Sequence, residues 1–275
     1  MMHSANALIA NQHMPHIWCA GCGAGIILGS VLRGIQDLGY TRENTVIVTG
    51  IGCCGKADDY VTTNAFHGTH GRALAYATGI KVANPDLHLI VIMGDGDGAT
   101  IGGNHLIHAA RRNVDITAII VNNANYGMTG GQLSATTPHG KLTSTSQFGN
   151  PERDFDLCAL VGAAGANYVA RGTVYHVNQL DRYIRQGMLK RGFSFIEVIS
   201  PCPTHFGRKN GMGDGVSMMN YLKDHAISWQ QYEKKDEAEK KDHIVTGVFV
   251  DADASDYHSE YELIRKKRLD SLVGR

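Results

Sequence analysis

The sequence predicts an α/β protein, a parallel sheet with helices on both faces, and three observations carry that reading. Short β-branched or apolar runs alternate with segments of helical periodicity along most of the chain. The runs Leu89-Ile90-Val91-Ile92-Met93 and Ala118-Ile119-Ile120-Val121 are apolar throughout, as strands buried on both faces require. Four chemically unusual groups each follow directly on one of the strand-like runs.

Apolar residues recur at helical spacing over 25–38, and the β-branched run 45–49 that follows is a strand ending in Gly50-Ile51-Gly52. A helix over 69–82, a strand over 87–93, a helix over 101–112 and a strand over 116–121 continue the alternation. The segment 123–150 is rich in Gly, Thr and Ser without periodicity, which in a compact domain marks a functional loop. Helix 155–161, strand 168–170, helix 179–190 and strand 194–200 come next. Beyond Pro203 a helix is predicted over 215–233, and the charge run 233–242 reads as a solvated helix end. Strand 244–250 and helix 257–267 complete a C-terminal extension from about 215, on one domain spanning 1–275.

Composition narrows the function. With 26 basic against 26 acidic residues among 275, the formal charge is zero, so no nucleic-acid or acidic membrane partner is expected. No apolar run approaches a membrane span, and the first 17 residues lack a basic start followed by a long apolar stretch, so a cytoplasmic protein is expected. Glycine reaches 33 residues, well above its usual share of about 7%, and it clusters beside turns, where backbone can approach a ligand closely.

In an open parallel sheet, ligands bind beyond the carboxyl ends of the strands. Gly50-Ile51-Gly52-Cys53, Gly94-Asp95-Gly96-Asp97-Gly98, Asn122-Asn123 and Pro201-Cys202 each follow a different predicted strand, so parallel strands would gather them on one edge. A carboxylate in a glycine-only turn can be a hard-cation ligand while neighbouring N–H groups face a phosphate, or it can simply cap the following helix from a tight turn. Asp95, the Asn123 side chain and the carbonyl two residues further on, at Asn125, supply three oxygens, and Mg2+ completes so sparse a set with diphosphate oxygens and water. Cys19-x-x-Cys22 precedes a helix, with Cys53 and Cys202 at the same predicted edge. Four cysteines so scattered suit an iron-sulfur cluster, a structural zinc site or a redox disulfide. Cys158 falls on an amphipathic helix and reads as a buried apolar residue.

The spacing from Gly94-Asp95-Gly96 to Asn122-Asn123 resembles the thiamine diphosphate signature. Tyr126-Gly127-Met128-Thr129-Gly130-Gly131-Gln132, Trp18-Cys19-Ala20-Gly21-Cys22-Gly23 and His70-Gly71-Arg72-Ala73 resemble, more specifically, the β subunit of the 2-oxoacid:ferredoxin oxidoreductases, over about 18–210. That resemblance implies a thiamine diphosphate-binding fold of the diphosphate-domain type, with Mg2+ held by Asp95, Asn123 and the Asn125 carbonyl. It implies one 4Fe-4S cluster on Cys19, Cys22, Cys53 and Cys202. Ile51, Gly52, Cys53, Cys54, His70, Gly96, Asp97, Gly127 and Met128 then surround the cofactor, with the Cys54 thiol turned away and His67 supporting the loop. His105 and His108 share a helix face and read as packing or subunit contact.

The activity so implied is oxidative decarboxylation of a 2-oxo acid to its acyl-CoA, with electrons passing through the cluster to ferredoxin, in either direction. Lys56 then meets the distal carboxylate of a substrate such as 2-oxoglutarate, a preference that Ser200-Pro201-Cys202-Pro203-Thr204 also suggests. Pyruvate and branched-chain 2-oxo acids remain open. Only one cofactor half is visible, so an α subunit carrying the pyrimidine-binding domain is expected, in an assembly such as α2β2. Two rivals stand beside this reading. One is a non-redox thiamine diphosphate-dependent 2-oxo acid decarboxylase subunit. The other is a nucleotide-binding redox-sensor module, against which the Gly-Asp-Gly-Asp-Gly turn lacks the Gly-x-Gly-x-x-Gly pattern.

Overall fold

The computed structural model describes residues 4–236 and 239–273. Its alternation begins with α1 (Ala24–Asp37), β1 (Thr45–Thr49), β2 (Asn64–His67), α2 (Ala73–Ala83), β3 (His88–Gly94), α3 (Gly103–Arg111) and β4 (Ile116–Asn122). It continues through α4 (Leu157–Ala163), β5 (Tyr168–Thr173), α5 (Val177–Leu189) and β6 (Phe193–Ile199). The C-terminal part holds α6 (Gly215–His225), β7 (Ala226–Ser228), α7 (Trp229–Tyr232), β8 (Ile244–Asp251) and α8 (Tyr257–Val273).

The eight strands form one sheet in the order β2-β1-β3-β4-β6-β5-β8-β7. All pairings are parallel except β5 with β8. Side chains on β1, β3 and β4 sort by parity, as the two-residue period of a strand dictates. Ile47, Ile90, Ile92, Ile119 and Val121 enter one core with residues of α1 and α5. Val46, Val48, Leu89, Val91, Met93, Ala118 and Ile120 enter the other with residues of α2, α3 and α4. Because both faces are dry, these strands need no polar alternation.

The structure departs from the expected elements in three places. The helix expected over 215–233 is interrupted: β7 pairs with β8 over Ala226 to Ser228, and the capping box of Ser228 and Gln231 starts α7 afresh. β2 is unheralded because Asn64–His67 carries no β-branched residue and is exposed along its length at the sheet edge. β8 runs antiparallel to β5 with a bulge between Val169 and Ala170, so the parallel crossover alternation ends at β6. The charge run 233–242 includes two residues, 237 and 238, outside those described. Among the described residues, no helix is long and apolar enough to cross a membrane.

One polar network lies inside the second core. The Glu197 carboxylate accepts from Arg171 Nε at 2.6 Å and from Asn122 Nδ2 at 2.8 Å, with the Cys158 thiol 3.5 Å away. Arg171 also donates to Asp156 at 2.6 Å, and Asp156 caps α4 through the Cys158 and Ala159 N–H groups. Removing one partner of such a pair strands the other charge in a dry interior. Glu197→Ala is therefore expected to lower the unfolding free energy by about 3–5 kcal/mol. Glu197→Gln, which keeps an amide oxygen toward Arg171, is expected to lose less. Urea titration checks both, and wild-type stability in Glu197→Ala would show that the pair contributes nothing.

Candidate functional site

Strands β1, β3, β4 and β6 are immediate neighbours and all parallel. The glycine turn at 50–53, the Asp95 turn, the Asn122-Asn123 pair and Cys202 therefore follow one another along a single carboxyl edge. After β3 the chain enters a π-helical turn, Gly96–Ile101, before α3 begins. Gly96 admits no side chain there, since a Cβ would lie 2.5 Å from the Tyr126 ring.

Asp95 is 1% exposed. Its Oδ2 accepts hydroxyls from Ser134 at 2.5 Å and Thr136 at 2.7 Å, while Oδ1 lies 3.4 Å from the Asn123 N–H. Beside Oδ1, the terminal atom of the Asn123 side-chain amide sits 3.1 Å from Asp95 Oδ1 and 2.9 Å from the Asn125 carbonyl oxygen. With its nitrogen there, the amide donates to both. With its oxygen there, it faces the other two oxygens at those separations and accepts only a long bond, 3.4 Å, from Asn125 Nδ2. Adjacent ligands of an octahedral Mg2+ at its usual 2.0–2.1 Å stand about 2.9 Å apart, so the second orientation presents the edges of a Mg2+ shell.

The turn bearing Asn123 and Asn125 is tightly specified. Ala124 has a φ of 61°, uncommon for a residue with a Cβ. Its N–H is held by Asn122 Oδ1 at 3.1 Å and its carbonyl accepts from Thr137 at 2.7 Å. Asn125 Nδ2 closes the turn on the Asn123 carbonyl at 2.7 Å.

Asp97 is also buried, but it faces the β1 side. Its Oδ1 accepts the Gly71 N–H at 2.7 Å and the Ile51 N–H at 3.3 Å, and it holds His70 Nδ1 at 2.5 Å. Its other oxygen has no partner, and a Cβ on Gly50 would meet it at 2.1 Å. Asp97 thus fixes His70, Gly71 and Ile51 relative to one another, and His70 presents its edge to Tyr126 at 5.7 Å between ring centroids. Exposed Ile51 and Met128 flank this rim.

Of the four cysteines singled out, Cys19 is exposed, Cys22 and Cys53 are half-buried and Cys202 is buried. The Trp18 indole donates to the Cys53 carbonyl at 2.6 Å, tying the Cys19–Cys22 turn to the loop after β1. Cys202 Sγ lies 3.8 Å from Asn125 Oδ1, so the sulfur side adjoins the oxygen side. Burial, together with the charges of Cys53, Cys202 and Cys19, pushes the Cys22 thiol up to about 11, against a hydrogen bond from the Ala24 N–H that lowers it. Cys53 is raised by burial, then by Cys202 and Cys19. The four are thus within electrostatic reach of one another. Among the described residues, however, no three or more His, Cys, Asp or Glu side chains gather closely enough for a single metal ion.

Several singled-out residues stand apart. The Cys54 thiol is buried in the core between Trp18, Ile27, Ile92 and Val121, and Cys158 is buried under Glu197. Lys56 lies on the short 3-10 segment Cys54–Tyr60, its ammonium exposed and 2.8 Å from Asp59. His67 bonds Thr49 and Asp58 at the end of β2. His105 and His108 lie on α3, His108 accepting from Arg111. Sequence reasoning missed Ser134, Thr136 and Thr137, whose signal was a hydroxyl-rich stretch in an aperiodic loop. It also missed the anchoring of Asn122 by Glu197.

The thiamine pyrophosphate enzyme family, by its C-terminal TPP-binding domain, matches residues 50–198. The 2-oxoglutarate synthase subunit KorB of Methanocaldococcus jannaschii is 46% identical over 266 residues, covering 96% of this chain and 98% of its own. That of Archaeoglobus fulgidus is 53% identical over 197 residues, 72% of this chain and 73% of its own. Among solved structures, a 2-oxoglutarate:ferredoxin oxidoreductase from Magnetococcus marinus, with 2-oxoglutarate, coenzyme A and succinyl-CoA bound, superposes with a TM-score of 0.85 at 29% identity. The match covers 97% of this chain and 91% of that one.

Burial pushes the Asp95 carboxyl from its ordinary 3.8 up to about 6, its hydroxyl and amide donors offsetting only part of the rise. Between about pH 4 and pH 6 the cation-free folded protein holds a proton that the unfolded chain has released. Its stability therefore falls as the pH rises through that window and levels off above it. Asp95→Asn removes the titration. The stability of this variant relative to wild type, from urea unfolding without divalent cations, is expected to grow by about 2 kcal/mol between pH 4 and pH 7. A difference independent of pH would contradict it.

Proposed function

Because the chain belongs to the β subunits of the 2-oxoacid:ferredoxin oxidoreductases, of the 2-oxoglutarate synthase type, we propose that its carboxyl-edge site binds thiamine diphosphate through Mg2+ beside a 4Fe-4S cluster. As such a subunit it is part of an oxidoreductase that converts 2-oxoglutarate to its acyl-CoA with ferredoxin as electron acceptor. The observation that carries the cation assignment is the meeting of the Asn123 amide with Asp95 Oδ1 and the Asn125 carbonyl at 3.1 and 2.9 Å.

In this reading Asp95, the Asn123 side chain and the Asn125 carbonyl hold Mg2+, and the remaining positions belong to diphosphate oxygens and water. Thiamine diphosphate, when bound, supplies the electron sink for decarboxylation, and the cluster supplies a one-electron path out of the site. The chain itself orients and encloses. Asp97 keeps the Ile51 and Gly71 backbone and the His70 ring in fixed positions at the rim. Gly96 leaves room for Tyr126 against the turn, and Gly52, Cys53, Gly127 and Met128 complete the surroundings of the cofactor.

Cys19, Cys22, Cys53 and Cys202 are assigned to the cluster. Support comes from their mutual electrostatic coupling and from the Trp18–Cys53 hydrogen bond that ties the Cys19–Cys22 turn to the loop after β1. Thiolates that raise one another's proton affinity need a cationic centre to remain ionised together, and a cluster spans a larger set of sulfurs than zinc does. Lys56 is assigned to the distal carboxylate of 2-oxoglutarate, exchanging Asp59 for substrate. Membership of the family implies partner subunits. We assign the pyrimidine-binding domain to an α subunit in an α2β2 assembly, with ferredoxin docking to the complex in the cytoplasm.

Anaerobic purification of the whole complex, with iron, sulfide and thiamine diphosphate assays, tests the assignment. Iron and sulfide in equal amounts are expected, lost together in Cys202→Ser, and thiamine diphosphate retention is expected to require Asp95. A wild-type complex without iron would remove the cluster. Lys56→Ala is expected to weaken the preference for 2-oxoglutarate over pyruvate about 10–100-fold in kcat/KM, the weight of a charge-assisted hydrogen bond. An unchanged ratio would take Lys56 out of substrate recognition.

A further inference from the structure

Resting on the assignment of a cation to Asp95, Asn123 and Asn125, we propose that Ser134 and Thr136 are positioning residues that aim the Asp95 carboxylate at that cation. Thr137 Oγ1 donates to the Ala124 carbonyl at 2.7 Å and accepts the Ser134 N–H at 3.0 Å. Its proton is thereby committed, leaving those of Ser134 and Thr136 for Asp95. Both reach the same oxygen, Oδ2, at 2.5 and 2.7 Å.

Two donors saturate Oδ2, so the carboxylate cannot chelate through both oxygens, and Oδ1 alone faces Asn123 and Asn125. All three hydroxyl residues are buried, so water does not compete for these bonds. A single stretch, 134–137, therefore grips both halves of the oxygen cluster. Ser134 and Thr136 hold the ligand that follows β3, and Thr137 holds the turn that follows β4. Groups that orient a ligand in this way set metal affinity without touching the metal, typically by 10–100-fold.

The test is Mn2+ titration, read by electron paramagnetic resonance, of the purified complex freed of divalent cations and supplied with thiamine diphosphate. Thr136→Val and Ser134→Ala are each expected to weaken Mn2+ binding about 10-fold, and the double variant about 100-fold. Thr136→Ser, which restores the hydroxyl, is expected to bind as wild type does. Thr136→Val also takes a donor from the buried Oδ2, so the thermal midpoint of the cation-free complex is expected to lie lower in Thr136→Val than in Thr136→Ser, and Mn2+ affinity is compared between these two on folded complex. Equal Mn2+ affinity in those two variants would overturn the positioning role, and that pair decides even if the double variant does not assemble. Asp95→Asn separates the premise from the inference. If it binds Mn2+ as wild type does, the cation assignment itself fails. If it does not bind while Ser134→Ala and Thr136→Val both bind normally, only the positioning role fails.

Discussion

Parallel pairing of β1, β3, β4 and β6 is the constraint from which the site follows. Four parallel neighbours deliver the chain to the same edge four times, each strand about 4.8 Å from the next. Groups separated by tens of residues in sequence thereby arrive within one ligand's length of each other. Every return from that edge must cross a face of the sheet, which is why helices cover both sides and why the strands are apolar in both parities. The same crossing forces sharp turns at the edge, and there the glycines at 50, 71, 96 and 102 let backbone and side chains approach more closely than a Cβ allows.

A buried edge of this kind is electrostatically expensive, and the molecule divides the cost by sector. On the oxygen side, two carboxylates are buried, and each faces donors: hydroxyls and an amide at Asp95, backbone N–H groups and His70 at Asp97. On the sulfur side, several thiols reinforce one another's reluctance to ionise. Among the described residues, no lysine or arginine donates to the Asp95 or Asp97 carboxylate, although Arg72 donates to the Gly71 carbonyl beside Asp97. Lys56 is turned toward Asp59, and Arg171 belongs to the network beneath α4.

Much of this was legible in the sequence, for definite reasons. β1 was readable to the residue, and β3, β4 and β6 nearly so, because burial on both faces fills strands with β-branched and apolar residues; the adjacency of their ends followed from parallel connectivity. What could not be read depended on partners distant in sequence. β2 is a strand because β1 offers its edge, since Asn64-Ala65-Phe66-His67 has no β-branched residue and no buried face of its own. The helix expected over 215–233 has continuous helical character but is broken because β8 supplies an edge to Ala226-Ile227-Ser228. Ser134 and Thr136 sit in a loop whose composition suits any exposed connection. Only the fold reveals that their hydroxyls enter the interior and close on Asp95.

The adjacent Asn122 and Asn123 show why a two-residue motif can carry two separate functions. Along β4 the side chains alternate, with Ala118 and Ile120 on the α4 face and Ile119 and Val121 on the α1 face. By that parity Asn122 belongs with Ile120. It meets Glu197, which shares its face with Phe193 and Phe195 of β6, and through Glu197 it meets Arg171 of β5. Asn122 is thereby fastened to two neighbouring strands while its own oxygen holds the Ala124 N–H in a turn with positive φ. Asn123, one residue on, cannot reach that network and turns instead to Asp95 and Asn125. The first asparagine anchors the turn and the second acts at its tip, so the precision of the oxygen cluster rests on a salt bridge buried on the other side of the sheet.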